Sequence, residues 1–99
     1  MACANPTDKE LEDLRAQGFA VVISLLDEQQ QKPRYNVADA ERAGWERHVL
    51  PIREGEAPSL DQLGRFRKII QAVPPNAKVL IHCSTGLGRA ATLGALIGL

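Results

Sequence analysis

The apolar positions of this chain follow two rhythms, spaced by three or four residues in some stretches and continuous in others, and the two alternate along its length. Thr7 opens the first element, with Glu10 three residues on, the spacing of a capping box, and Leu11 and Leu14 on one helical face. Gly18 is the residue type that closes such a helix. Residues 19–26 (FAVVISLL) are short, β-branched and apolar without alternation, which predicts a strand buried on both faces. Residues 27–35 are polar and hold Pro33, so a loop is expected; residues 36–44 predict a short helix capped by Asn36 and closed by Gly44. Residues 45–52 read as a second strand with Pro51 at an edge or exit position. After a turn-rich stretch, Ser59 and Gln62 form another capping box. Leu60, Leu63, Phe66, Ile69, Ile70 and Val73 then recur at helical spacing, predicting a core helix that exposes Arg65, Arg67 and Lys68. Pro74, Pro75 and Asn76 stop it, residues 78–82 form the third strand, and residues 90–99 favour helix.

This order predicts an α/β fold, a central mostly parallel sheet flanked by helices, in a single domain over residues 1–99. Ligands of such sheets bind beyond the carboxyl ends of the strands, where the segment after His82 lies. Composition narrows the possibilities. Hydrophobic residues make up 44% and charged ones 24%, so a packed core is expected. Twelve Lys/Arg balance 12 Asp/Glu, a net charge of zero that offers no field for nucleic acid or an anionic membrane. No apolar run is long enough to span a bilayer, and the first six residues lack the parts of a signal peptide. The two cysteines, Cys3 and Cys83, are too few and too far apart for a disulfide framework or a zinc site. A cytoplasmic monomer without metal or cofactor is therefore expected. Cys3 reads as an ordinary thiol, one that would trap an oxidised Cys83 as a disulfide if the two approach.

The chemistry concentrates in His82-Cys83-Ser84-Thr85-Gly86-Leu87-Gly88-Arg89. Wrapped from a strand into a helix, five residues with two glycines turn successive backbone N–H groups inward into an anion nest. The helix N-terminus adds partial positive charge, and Arg89 a planar fork for two oxygens of a tetrahedral oxyanion. Both favour the anionic form of the Cys83 sulfur. His82 is expected to pack behind the loop and tune the thiol. His48 and Trp45 read as strand and core residues.

The arrangement His-Cys, five residues, Arg resembles the protein tyrosine phosphatase superfamily, and Cys-Ser-Thr-Gly-Leu-Gly-Arg is similar to its small dual-specificity branch of archaeal, Cdc14-like and kinase-associated type. Residues 14–28 resemble that family's first helix and central strand, and residues 44–60 its segment ending in Pro-Ile-x-Asp-Gly-x-x-Pro-Ser. The resemblance implies a tyrosine-phosphatase-like fold with the phosphate loop between last strand and helix. It implies hydrolysis of phosphotyrosine, with phosphoserine or phosphothreonine as further substrates, through a phosphocysteine intermediate. Cys83 would be the nucleophile. The backbone of Ser84, Thr85, Gly86, Leu87 and Gly88, together with Arg89, would hold the phosphate, and Glu54 would be the general acid.

Three departures stand out. Glu54 occupies the place of the family's Asp, with a solvated carboxylate or the neighbouring Glu56 as competing readings. Ala90 replaces the Ser or Thr whose hydroxyl stabilises the departing thiolate, and the chain stops ten residues after Arg89, so the family's C-terminal helices are expected to be missing. The alternatives are a catalytically impaired phosphopeptide-binding module and a rhodanese-like sulfur carrier. Lys32-Pro33-Arg34-Tyr35 faintly resembles a substrate-recognition motif of the large tyrosine-specific phosphatases and is read as coincidence.

Overall fold

The computed structural model describes residues 2–3, 5–28, 32–52 and 59–83. Its elements run β1 (Ala2–Cys3), α1 (Asp8–Ala16), β2 (Phe19–Ser24), α2 (Val37–Arg42), β3 (Glu46–Val49), α3 (Leu60–Ala72) and β4 (Lys78–His82). The strands form one sheet in the order β1-β4-β2-β3 with every pairing parallel. Parallel neighbours need a crossover, and the crossovers cover both faces. Leu11 and Leu14 of α1 and Ala40 of α2 pack with Val22, Leu80, Trp45 and Tyr35 on one face. On the other, Phe66 of α3 packs with Val21, Ile23, Val79, Ile81 and Cys83.

Local signals place the helices where the sequence predicts them. Thr7 Oγ1 accepts from the Glu10 amide at 3.3 Å and Ser59 Oγ from the Gln62 amide at 3.2 Å, each within a complete capping box. Gln62 also donates from Nε2 to the Pro51 carbonyl at 2.6 Å, tying the start of α3 to the exit of β3. Gly44 follows α2 at φ +99°, and a Cβ there would lie 3.1 Å from Arg15 Nη2, so both backbone and space call for glycine. That guanidinium bridges the Phe19 and Ala43 carbonyls and locks α1 against the turn after α2.

Several expectations change. The strand expected over 19–26 ends at Ser24, and the one over 45–52 narrows to Glu46–Val49. The flanking residues still pair: Leu25 donates to the His82 carbonyl at 2.9 Å, Leu50 to Ser24 at 2.8 Å and Ile52 to Leu25 at 3.1 Å. A register shift between Phe19 and Val21 puts Phe19 on the α1 side, with Val22 rather than with Val21. Leu60, expected in the core, is 88% exposed, because the first turn of α3 begins outside the buried cluster that receives Leu63 and Phe66. The two-residue strand β1 was not expected. It pairs Ala2 with Ile81 and Cys3 with His82, so Cys3 shares register with the histidine and not with Cys83.

Candidate active site

Cys83 and His82 are placed by the end of β4, an inner strand bonded to β1 and β2. Successive strand residues point to opposite faces. Cys83 therefore falls into the apolar cluster under α3, fully buried beside Ile81 and Leu25. His82 is equally buried on the other face. Ser84, Thr85, Gly86, Leu87, Gly88, Arg89 and Ala90 lie outside the described residues, as do Glu54 and Glu56. The structure thus brings together two of the residues singled out from sequence, and surrounds one of them with partners that no local spacing suggested.

Those partners form a buried polar chain. Tyr35 Oη lies 2.8 Å from His82 Nε2, with the two rings edge to face at 5.3 Å. Arg47 Nε donates to the same Tyr35 oxygen at 3.0 Å, and its Nη2 pairs with Glu28 Oε2. Ser24 Oγ donates to that Glu28 oxygen at 2.9 Å and accepts from the Leu26 amide at 3.3 Å. Ser24, in register with His82, interrupts an otherwise apolar strand and is wholly buried, a polar position satisfied at the sheet's carboxyl end. Arg47 issues from β3, and its side chain is only 8% exposed.

The electrostatics follow from this enclosure. Burial, and secondarily the Arg47 charge, push the His82 ionisation down from 6.5 to about 4, against a smaller upward pull from the Cys83 main chain. The ring is therefore neutral at physiological pH. For Arg47, burial opposes the charge, but the hydrogen bonds to Tyr35 and Glu28 outweigh it and the guanidinium is held more basic than usual. The second ring nitrogen of His82, Nδ1, is buried and has no hydrogen-bond partner among the described residues.

Tyr35, Arg47 and Glu28 were not identified from sequence as site residues. They are separated by many residues and meet only through the parallel register. The available signal was charge out of place: Arg47 lies inside a strand bracketed by Trp45 and Leu50, and Glu28 directly follows the apolar run. Among the described residues no group of three His, Cys, Asp or Glu side chains is placed to hold a metal ion. No helix among them is long and apolar enough to cross a membrane.

Comparison with known proteins gives a family over nearly the whole chain: residues 1–98 match the one described as "Polymorphic toxin system, DSP-PTPase phosphatase". Tk-PTP in its active form is 34% identical at a TM-score of 0.76, covering 97% of this chain and 67% of that one. Kinase associated phosphatase, 21% identical, has a TM-score of 0.76 and is matched over 97% of this chain and 61% of its own. A putative phosphatase from Shewanella putrefaciens CN-32, 20% identical, has a TM-score of 0.78, with 97% of this chain and 60% of that one covered. These last two show the shared fold, and this chain spans about three-fifths of their lengths. No curated protein matches the chain.

Proposed function

The chain belongs to the DSP-PTPase phosphatase family of polymorphic toxin systems, within the small dual-specificity-like branch of the tyrosine phosphatase superfamily, and from that premise we propose that it hydrolyses phosphate monoesters on protein, phosphotyrosine foremost, through a phosphocysteine on Cys83. The observation that carries this reading is the position of Cys83. It is buried at the carboxyl end of an inner parallel strand, next to a buried neutral histidine, and immediately precedes the glycine-rich residues 84–88 and Arg89. The catalytic unit is proposed to be the single domain 1–99, acting as a monomer in the cytoplasm on phosphorylated protein.

In this reading the Cys83 thiolate attacks phosphorus in line, the S–P bond forms, and the P–O bond to the leaving group breaks. The amides of Ser84, Thr85, Gly86, Leu87 and Gly88, with the Arg89 guanidinium, stabilise the equatorial oxygens. Protonated Glu54 gives its proton to the leaving oxygen. As carboxylate it then takes a proton from water, whose oxygen attacks phosphorus and breaks the S–P bond, releasing inorganic phosphate and restoring the thiolate. Ala90 offers the departing thiolate no hydroxyl, so the second step limits turnover and a rapid-mixing experiment gives a burst of phenolate.

The test is hydrolysis of an aryl phosphate by the full chain. Activity that orthovanadate inhibits and that vanishes in Cys83→Ser is expected. Phosphopeptide binding with no hydrolysis would instead identify a binding module, the reading that Ala90 favours, and persulfide transfer would identify a sulfur carrier. Equal rates on matched phosphotyrosine and phosphoserine peptides would overturn the tyrosine preference, which rests on phenolate being the better leaving group.

A further inference from the structure

Arg47 has no part in the reaction just described, yet it is one of the most enclosed charges among the described residues, and its bonds have a direction. A guanidinium can only donate, so the 3.0 Å contact from Arg47 Nε makes Tyr35 Oη an acceptor. A phenol oxygen that accepts from a cation is polarised into a stronger O–H donor, since hydrogen bonds in a chain reinforce one another. His82 Nε2, 2.8 Å from that oxygen, is then the natural receiver of the phenolic hydrogen and carries none of its own. A neutral imidazole has one N–H, which this leaves on Nδ1. The other ring nitrogen, Nδ1, is buried with no hydrogen-bond partner among the described residues, so nothing there competes with this assignment. Arg47 is itself anchored: the Glu28 oxygen that pairs with it also accepts from Ser24, the β2 residue in register with His82.

We propose that Arg47, anchored by Glu28 and Ser24, is a positioning residue that sets His82 through Tyr35 as the Nδ1–H tautomer, with Nε2 held as the acceptor. The inference rests on the phosphatase reading for its catalytic consequence and on the geometry alone for the tautomer. Its consequence is that a charge on β3 fixes which nitrogen carries the proton in the residue that precedes Cys83. The ionisable groups gathered around the ring among the described residues are Tyr35 from the segment before α2, Arg47 from β3, Glu28 behind Arg47 from the segment after β2, and Cys83 next in the chain.

Histidine-selective 15N NMR on the full chain tests this, with His48→Gln assigning the two rings. The wild type is expected to show His82 protonated at Nδ1 and bare at Nε2 at pH 7. In Arg47→Met the tautomers mix, and kcat on an aryl phosphate falls about tenfold with little change in KM. Where that variant does not fold, Glu28→Gln with Arg47→Gln leaves no unpaired charge and is expected to give the same mixture. An Nε2–H ring in the wild type, or an unchanged ring spectrum in the variants, overturns the proposal. The expected spectra in a chain that hydrolyses no aryl phosphate would overturn the enzymatic reading while leaving the tautomer assignment standing.

Discussion

The two faces of the sheet are made from the same strands and diverge only at the carboxyl ends. Under α3 the row is apolar to its last position: Val21, Ile23 and Leu25 run beside Val79, Ile81 and Cys83. Under α1 and α2 the row begins alike, with Val22 beside Leu80, and then turns polar at Ser24 and His82, where Tyr35, Arg47 and Glu28 close over them. Alternation along β4 thus gives the sulfur a hydrocarbon bed and the preceding imidazole an electrostatic one. The apolar face secures the position of the nucleophile candidate, whereas the polar face governs the proton content of its neighbour. Perturbing them should therefore produce different signatures.

The largest effect is expected on the apolar face. Phe66 is fully buried at its centre, and Phe66→Ala should cost about 3–5 kcal/mol in urea unfolding. The polar face contributes a pH dependence through His82. His82 ionises at about 4 in the fold and near 6.5 when unfolded, so as pH falls through that window the unfolded chain takes up the proton first. Stability is then level above pH 6.5 and declines toward pH 4, by up to about 3 kcal/mol. In His82→Gln this part of the decline should disappear, read as the difference between the two unfolding curves across pH. Tyr35→Phe removes the shared oxygen and leaves Arg47 Nε and His82 Nε2 without it, a loss of about 1–3 kcal/mol with the apolar face unchanged. At the small end, Leu60→Ser should change stability by less than about 0.5 kcal/mol, because its side chain contributes to neither face.

What could be read from sequence follows how far apart the interacting residues are. Both capping boxes were legible because donor and acceptor are three residues apart, and β4 was legible because its apolar run ends at a distinctive glycine-rich sequence. Leu60 fits the helical period of Leu63 and Phe66, but a period cannot say where along a helix the underlying sheet stops. The strand β1 carries no pattern in two residues, and its partner is Ile81. The polar chain was illegible as a unit for the same reason: Ser24, Glu28, Tyr35, Arg47 and His82 have no shared spacing and converge only once three parallel strands are in register. Cys83 and His82 were found from their own neighbourhood; the residues that orient His82 were not. Tyr35 in particular has no neighbour in sequence that signals its role, while its hydroxyl is the centre of the chain.

The strand order has a kinetic corollary. The segment bearing His82 and Cys83 comes last among the described strands, yet it lies between β1 and β2 and must insert between partners synthesised long before it. Such non-local parallel pairing is slow to form, because the loop entropy is lost before the contacts are gained. A ribosome-bound chain therefore emerges with its sheet divided and the strand that leads to Cys83 unplaced, and the sheet can close only after residues 78–82 have been made.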